Sequence, residues 1–130
     1  MGLNRPEKRN AFNVAMLADL ARAYALLEGD DDLRAGVLIA HGEHFTAGLD
    51  MVDVAPCLAE GRDPMPGDGR DPGRLDGEWT KPVVAAAHGR CLTLGIYPFG
   101  GATIRLPRQA GWGNGMRWLL TGDEFDAAEG

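Results

Sequence analysis

The sequence predicts one α/β domain with a largely parallel sheet. Two short apolar runs, at 37–40 and 83–87, have the length and composition of buried strands, and apolar residues at helical spacing precede the first run. Strands that alternate with helices form parallel sheets, because a parallel pair needs a long crossover connection. The 130 residues, 45% of them apolar, suffice for one hydrophobic core.

The first helix is predicted to begin after Asn13, since asparagine is a common helix N-cap. Apolar residues then recur every three or four positions, as on one face of a helix, and Gly29 is expected to end it. The apolar positions are Met16, Leu17, Leu20, Tyr24 and Leu27.

Two strands follow. The run at 37–40 is closed by a His-Gly pair and is expected to be buried on both faces, because it does not alternate with polar residues. The run at 83–87 follows Lys81-Pro82 and is predicted to be a second buried strand. Between them, residues 61–77 hold five glycines and three prolines among charged residues, which predicts a mobile loop.

The last third of the chain has weaker signals. Residues 98–101 predict a tight turn, and a short helix is predicted over 116–120, ending before Gly122. The acidic stretch at 123–126 is predicted to begin another helix.

Composition and charge exclude several classes of function. A net charge of −6 disfavours nucleic-acid binding, and the absence of serine excludes a Ser-His-Asp hydrolase. Cys57 and Cys91 signal neither a disulfide framework nor a zinc site, so a reduced, cytoplasmic setting is expected. No apolar run approaches the roughly 18 residues of a membrane span, and the first ten residues are polar, so we expect neither a membrane segment nor an export signal.

The first candidate site is the segment at 45–50, directly after the first predicted strand. Small residues at Ala47 and Gly48 let the backbone turn sharply, so that the N–H of Leu49 can point into a cleft. The alternative is an ordinary strand-to-helix turn with Gly48 at positive φ, and the hexapeptide alone favours it. Asp50 either lines the cleft or caps the next helix, with the cap favoured.

The second candidate site is the segment at 88–95, directly after the second predicted strand. Backbone N–H groups from two adjacent strand ends can converge on one carbonyl oxygen, the geometry that stabilises an enolate or a tetrahedral oxyanion. His41, His44 and His88 lack the spacing of metal ligands and are interpreted as structural.

Together these segments resemble the crotonase family, the enoyl-CoA hydratase/isomerase superfamily. The resemblance rests on motifs in the family's order, and it covers almost the whole chain. They are Asn-Arg-Pro-Glu-Lys-Arg-Asn-Ala at 4–11, Phe-Thr-Ala-Gly-Leu-Asp at 45–50, Lys-Pro-Val-Val-Ala-Ala at 81–86 followed by Gly89, the stretch at 98–108, and Leu-Leu-Thr-Gly at 119–122.

The resemblance implies a crotonase (ClpP-like) fold, a spiral of ββα units, that binds an acyl-CoA thioester as a homotrimer or hexamer, with no cofactor beyond the CoA of the substrate and no metal. The reaction it implies is hydration of a 2-enoyl-CoA through an enolate; the alternatives are isomerase, hydrolase or a non-catalytic acyl-CoA-binding role. The implied oxyanion donors are the backbone N–H groups of Leu49 and Leu94. The implied CoA contacts are Lys8, Arg9, Ala11, Ala47, Gly48, Asp50 and Met51.

The chain departs from the family pattern near 95–98. Members of the family have two glutamates after a glycine triplet, whereas this chain has Thr93-Leu94-Gly95 and continues directly into Ile96-Tyr97-Pro98. The helix, strand and carboxylates expected there, and the C-terminal part of the fold, are missing. We expect the 130 residues to be the ordered part of a longer protein, with mobile segments left out; the alternative is a genuine internal deletion, which would leave a sheet edge unpaired.

Overall fold

The computed structural model describes residues 1–64, 69–71, 80–91, 102–123, 125, 126 and 128. Leu94, the predicted turn at 98–101 and most of the predicted loop at 61–77 lie outside these residues. The chain divides into two compact units, Met1–Cys91 and Leu92–Gly130.

The first unit is a three-stranded parallel sheet with helices, as the sequence predicts. The strands lie in the order β1-β2-β3, and both neighbouring pairs are parallel, with Leu3 opposite Ala40 and Val37 opposite Val84. β1 is an additional strand that the apolar pattern does not reveal, because it contains only two residues. The elements are β1 (Gly2–Leu3), a 3₁₀ turn (Pro6–Lys8), α1 (Val14–Gly29), β2 (Gly36–Ala40), α2 (Met51–Ala59) and β3 (Val83–Ala85).

Helix α1 has the predicted bounds. The Asn13 side chain accepts a hydrogen bond from the Met16 N–H at 2.9 Å, which satisfies one of the free amides of the first turn. At the other end, the Lys81 ammonium donates to the carbonyl of Leu27 at 2.8 Å. Lys81, two residues before the third strand, therefore stabilises the C-terminus of α1, where positive charge is favourable.

The core of this unit lies on one face of the sheet. Leu3, Leu38 and Phe45 form a buried cluster, and Met16 and Leu20 of α1 pack against it. Burial of this apolar surface fixes the helix on the sheet.

The expectation that the strand at 37–40 is buried on both faces is wrong for this structure. Leu38 is buried, whereas Val37 and Ile39 are 53% and 43% exposed. Side chains alternate between the faces of a strand, and among the described residues α1 packs on only one of them. Val84 of β3, 63% exposed, shows that the prediction of a second buried strand is also wrong.

The third strand is shorter than the predicted run at 83–87. After Ala86 donates to the Leu38 carbonyl at 2.9 Å, the chain leaves β2. The His88 carbonyl instead accepts the Phe45 N–H at 3.0 Å. The strand is therefore shorter than the apolar run at 83–87, because the backbone after it turns to form hydrogen bonds with the segment that follows β2.

The second unit contains two helices, α3 (Ala102–Ala110) and α4 (Trp112–Thr121). The predicted end of the helix at Gly122 is confirmed, since this residue has the left-handed conformation of a helix terminus. The predicted start at 116 is too late, and α3 is not predicted because Pro107 interrupts its pattern. At the described positions of 123–126 no helix begins. Instead, the Phe125 ring stacks on Trp118 with centroids 3.8 Å apart.

The described helices include none with the length and apolar character needed to cross a membrane.

Candidate functional site

The candidate site is built around the turn that connects β2 to α2. Gly48 has a φ of +86°, the left-handed conformation predicted for it, and Phe45 and Thr46 before it are buried. Helix α2 begins directly after the turn, at Met51. The turn is thus anchored in the core at one end and continues into a helix at the other.

The opening segment of the chain lies alongside this turn. The Ala47 N–H donates to the Arg9 carbonyl at 2.9 Å, and the Asp50 N–H donates to the Phe12 carbonyl at 2.8 Å. Phe12 and Leu49 form a parallel bridge. Two motifs that are more than 30 residues apart in the sequence therefore share one backbone hydrogen-bond network.

The amide of Leu49 has a fixed direction and no partner among the described residues. The Gly48 carbonyl, on the other side of the same peptide group, accepts the Phe12 N–H at 2.7 Å. Because this peptide bond is planar and trans, the Leu49 N–H points away from Phe12. The N–H groups of Ala47, Gly48 and Asp50 all donate within the network, so in this part of the turn only Leu49 has an N–H that is not used.

Asn10 and Thr46 hold the network together from inside. Asn10 is fully buried; its side chain accepts from the Arg5 N–H and donates to the carbonyls of His41 and His44, each at 2.8 Å. The Thr46 hydroxyl donates to the Asn10 carbonyl at 2.8 Å and accepts the Gly48 N–H at 3.1 Å. Every polar atom of the Asn10 amide group is thereby paired, as burial requires.

The sequence does not reveal the roles of Asn10 and Thr46. Asn10 has a φ of +53°, and asparagine is among the few residues other than glycine that adopt this conformation readily. The one indication in the sequence is an asparagine, a residue common in turns, within a charged segment. Burial of its side chain depends on two distant carbonyls, which no local pattern reveals.

The favoured prediction that Asp50 is the N-cap of helix α2 is confirmed for its position but not for a capping hydrogen bond. Asp50 occupies the N-cap position, but its side chain makes no capping hydrogen bond. Its carboxylate instead accepts a hydrogen bond from the Arg5 guanidinium at 2.7 Å, and this bond holds the pKa of the carboxyl below its ordinary value. A charge-assisted bond to a guanidinium is stronger than one to a neutral amide, which accounts for the preference.

The residues expected to contact CoA lie in the two paired segments. Ala11 and Ala47 are half-buried, Gly48 is buried, and Lys8, Arg9 and Met51 are exposed. The structure brings the segments 8–11 and 47–51 side by side through the backbone network. Their roles toward a ligand stay a prediction.

The second candidate segment begins beside the first. The Phe45 and Thr46 N–H groups donate to the Arg90 carbonyl at 3.0 and 3.2 Å, and Cys91 pairs with Thr46 in a parallel bridge. Gly89 makes this approach possible, because a Cβ there would lie 2.1 Å from the Glu43 carbonyl oxygen. Leu94, the predicted second donor, lies outside the described residues.

His88 and Cys91 lie on either side of Gly89 and Arg90, and neither side chain is activated for catalysis. The His88 ring nitrogen Nε2 lies 3.0 Å from the Gly42 carbonyl oxygen, and the ring meets Phe45 edge-on. These contacts are structural, as the sequence predicts for His88. Burial raises the pKa of the Cys91 thiol, so it stays protonated and a weak nucleophile at neutral pH.

Comparisons with known proteins agree on one family. A family model described as enoyl-CoA hydratase/isomerase matches residues 1–93. Among solved structures, a probable enoyl-CoA hydratase/isomerase from Mycobacterium abscessus is 47% identical with a TM-score of 0.90, over 98% of this chain and 60% of that chain. An enoyl-CoA hydratase from Mycobacterium tuberculosis H37Rv is 28% identical with a TM-score of 0.77, over 98% and 59%.

Curated relatives cover two named activities. The mitochondrial Delta(3,5)-Delta(2,4)-dienoyl-CoA isomerase of Rattus norvegicus is 36% identical over 118 residues, 79% of this chain and 35% of the relative. An enoyl-CoA hydratase of Mycobacterium tuberculosis is 29% identical over 158 residues, 98% of this chain and 59% of the relative. The chain thus spans between about a third and three fifths of these relatives.

The hydratase comparison also locates extra residues within the matched region. It extends over 158 positions, although 98% of this chain is only about 127 of its 130 residues, so about 30 positions of the relative have no counterpart in this chain. About 30 residues are enough for the helix and the strand that are missing near 95–98.

Proposed function

Because this chain belongs to the enoyl-CoA hydratase/isomerase family and has its α/β crotonase fold, we propose that it binds an acyl-CoA thioester with the thioester oxygen at the Leu49 N–H. The observation that supports this most is the unused Leu49 amide, held in place from behind by the Phe12 N–H. A preorganised donor stabilises negative charge on oxygen without having to reorganise during the reaction.

The second donor in this proposal is the N–H of Leu94. Cys91, three residues before Leu94, forms a parallel bridge with Thr46, which lies three residues before Leu49. Two amides from two such segments would share one oxygen, and negative charge there is what an enolate requires.

The nucleotide part of CoA belongs, in this proposal, beside the opening segment. Lys8 and Arg9 are exposed cations at a point where the backbone network joins the two segments. Cations attract phosphate even on a chain with a net charge of −6, because the interaction is local and screened beyond about 10 Å. No cofactor beyond the CoA moiety is part of the proposal.

The proposed reaction of the whole protein is hydration of a 2-enoyl-CoA. Hydroxide from water adds to the β-carbon, the thioester oxygen holds the resulting negative charge, and a proton then adds to the α-carbon. Both proton transfers need a general acid or base. In this proposal the carboxylates that would serve lie in the segment that the family has after the glycine triplet and that is missing from this chain near 95–98.

Two alternatives stay within the family. The identity to the rat isomerase, 36%, favours double-bond isomerisation, which uses the same enolate but returns the proton to another carbon. A chain without the two carboxylates would bind acyl-CoA without turnover. We propose assembly as a homotrimer or hexamer because this is what membership of the family implies. We propose a cytoplasmic setting because Cys57 and Cys91 are free cysteines, as expected in a reducing compartment.

Calorimetric titration with two matched ligands tests the binding site. A 2-enoyl-CoA thioester and the corresponding thioether, which lacks the carbonyl oxygen, differ only at the atom expected to meet Leu49. We expect the thioester to bind about tenfold more tightly or better, as a good oxyanion donor provides. Equal affinity, or no binding of either ligand, would contradict the proposal.

The intact mass of the purified protein distinguishes turnover from binding. A mass well above 13.9 kDa favours hydratase or isomerase activity. Mass spectrometry of the product then separates the two reactions, because hydration adds the mass of one water molecule and isomerisation leaves the mass unchanged. A mass of 13.9 kDa favours the binding role.

A further inference from the structure

The Arg5 guanidinium joins the two strands of backbone on which the proposed oxyanion donor depends. One nitrogen, Nη1, donates to the Asp50 carboxylate at 2.7 Å and to the Ala11 carbonyl at 3.0 Å. Ala11 directly precedes Phe12, and Asp50 directly follows Leu49. Arg5 therefore connects the two residues that flank the Phe12–Leu49 bridge.

The Asp50 carboxylate is a charge that the proposed site has to neutralise. It belongs to the residue next to Leu49 and is only 16% exposed, so water screens it poorly. An unpaired negative charge there would repel the negative charge that develops on a thioester oxygen at the Leu49 N–H. The Arg5 side chain, 22% exposed, is close enough to cancel it.

Asp50 is ionised at neutral pH, and the contact with Arg5 reinforces this state. A carboxyl with the ordinary pKa of 3.8 is already negative at neutral pH, and the hydrogen bond from Arg5 lowers the pKa of Asp50 further. Protonation therefore does not remove this charge under physiological conditions, and a cation has to do so.

We infer that Arg5 is a positioning residue for the acyl-CoA site, which holds the Leu49 amide in place and cancels the Asp50 charge beside it. This inference rests on the proposed function. It concerns a side chain on the opening segment that does not itself meet the substrate.

The test uses the purified protein and a CoA thioester of cinnamic acid as the probe. Hydrogen bonding to the carbonyl oxygen of this conjugated thioester polarises it and shifts its absorption to longer wavelength. The variants are Arg5→Gln, which removes the charge but keeps a hydrogen-bonding side chain, and Arg5→Gln/Asp50→Asn, which removes both charges. Arg62→Gln is the matched control, because Arg62 forms an exposed ion pair with Glu60.

We expect Arg5→Gln to lose at least half of the absorption shift and to bind the probe about tenfold more weakly, with affinity for free CoA unchanged within about twofold. The double variant should regain most of the shift, because the repelling charge is gone. Arg62→Gln should equal the wild type. A wild-type shift in Arg5→Gln, or an equal loss in the double variant, would overturn the inference alone.

Two further outcomes keep the inference separable from the proposed function. Should Arg5→Gln not fold, as judged by circular dichroism, Arg5→Lys decides: it keeps the positive charge beside Asp50 and should retain most of the wild-type shift, and a loss of more than half of the shift overturns charge cancellation. A wild-type protein that produces no shift overturns the proposed function, and the inference with it.

Discussion

The Phe12 N–H donates to the Gly48 carbonyl at 2.7 Å, and this bond determines the direction of the next amide along the chain. The acceptor belongs to the peptide group whose N–H is that of Leu49. Hydrogen bonds in such a chain polarise one another, so the bond from Phe12 makes the Leu49 N–H a stronger donor. The opening segment thus orients the Leu49 N–H through the Gly48 carbonyl, on the opposite side of the same peptide group. It does so without contacting the thioester oxygen that we expect at the Leu49 N–H.

Replacement of Gly48 by alanine tests this arrangement. A φ of +86° is unfavourable for alanine and should cost about 1 kcal/mol of stability. Where the backbone relaxes to avoid this cost, the peptide group between residues 48 and 49 turns away from Phe12 and the Leu49 N–H loses its direction. Gly61→Ala is the control, because Gly61 has a φ of +67° and open space around it. Urea denaturation should show a loss of about 1 kcal/mol for Gly61→Ala and at least that for the buried Gly48→Ala, whereas affinity for a 2-enoyl-CoA should fall about tenfold in Gly48→Ala only. Equal affinity in the two variants would argue against a role for the turn in binding.

The local parts of the fold were predictable. Helix α1 follows from its cap at Asn13 and its apolar spacing, and the positive φ of Gly48 follows from a small residue between a strand and a helix. The parallel sheet follows from the alternation of elements. The cap and the turn depend on interactions within a few residues of the chain, whereas the sheet, whose strands pair across more than 30 positions, follows only from the order of the elements.

The parts that sequence reasoning missed depend on distant partners. Asp50 pairs with Arg5, 45 positions away, rather than capping its own helix. Asn10 is buried because two carbonyls more than 30 positions away surround its amide. The exposure of Val37 and Val84 depends on which face of the sheet is covered, and an apolar pattern alone does not encode that.

Removal of the Asn10 side chain should destabilise the first unit strongly. Asn10→Ala leaves the Arg5 N–H and two carbonyls without their partners, at a cost of about 3 kcal/mol. Asn13→Ala removes one capping bond and should cost about 1 kcal/mol. Urea midpoints, with unchanged slopes, measure both. Equal stability of the two variants would show that the three hydrogen bonds of the Asn10 side chain do not stabilise the network more than a helix cap does.

The pair of Arg5 and Asp50 should stabilise the fold only where Asp50 is ionised. Since the folded pKa of Asp50 lies below 3.8, the stabilisation is complete above that pH and disappears as the pH falls through 3.8 to the folded value. Urea midpoints of wild type and Asp50→Asn should therefore differ at pH 7 and converge at low pH. Glu28, whose pKa is also lowered by its hydrogen bond with Thr80, is present in both proteins and does not affect the difference.

Asp19→Asn provides the control for this pH series. Asp19 pairs with Arg22 on the exposed face of α1, where side-chain exposures of 77% and 53% leave the pair well screened by water. Its midpoint should stay close to that of the wild type throughout. A difference for Asp50→Asn that persists at low pH would show that the change acts through packing and not through charge.

Two glycines of α4 should respond in opposite directions to alanine. A Cβ on Gly115 would lie 2.7 Å from the Pro107 Cα, so Gly115→Ala should force α3 and α4 apart and cost about 2 kcal/mol. Gly113, two residues earlier in the same helix, faces open space, and Gly113→Ala should gain about 1 kcal/mol through helix propensity. Hydrogen exchange of the α4 amides reports both effects, as faster exchange in the first variant and slower exchange in the second. Slower exchange in both would mean that the backbone contact between the helices does not limit their stability.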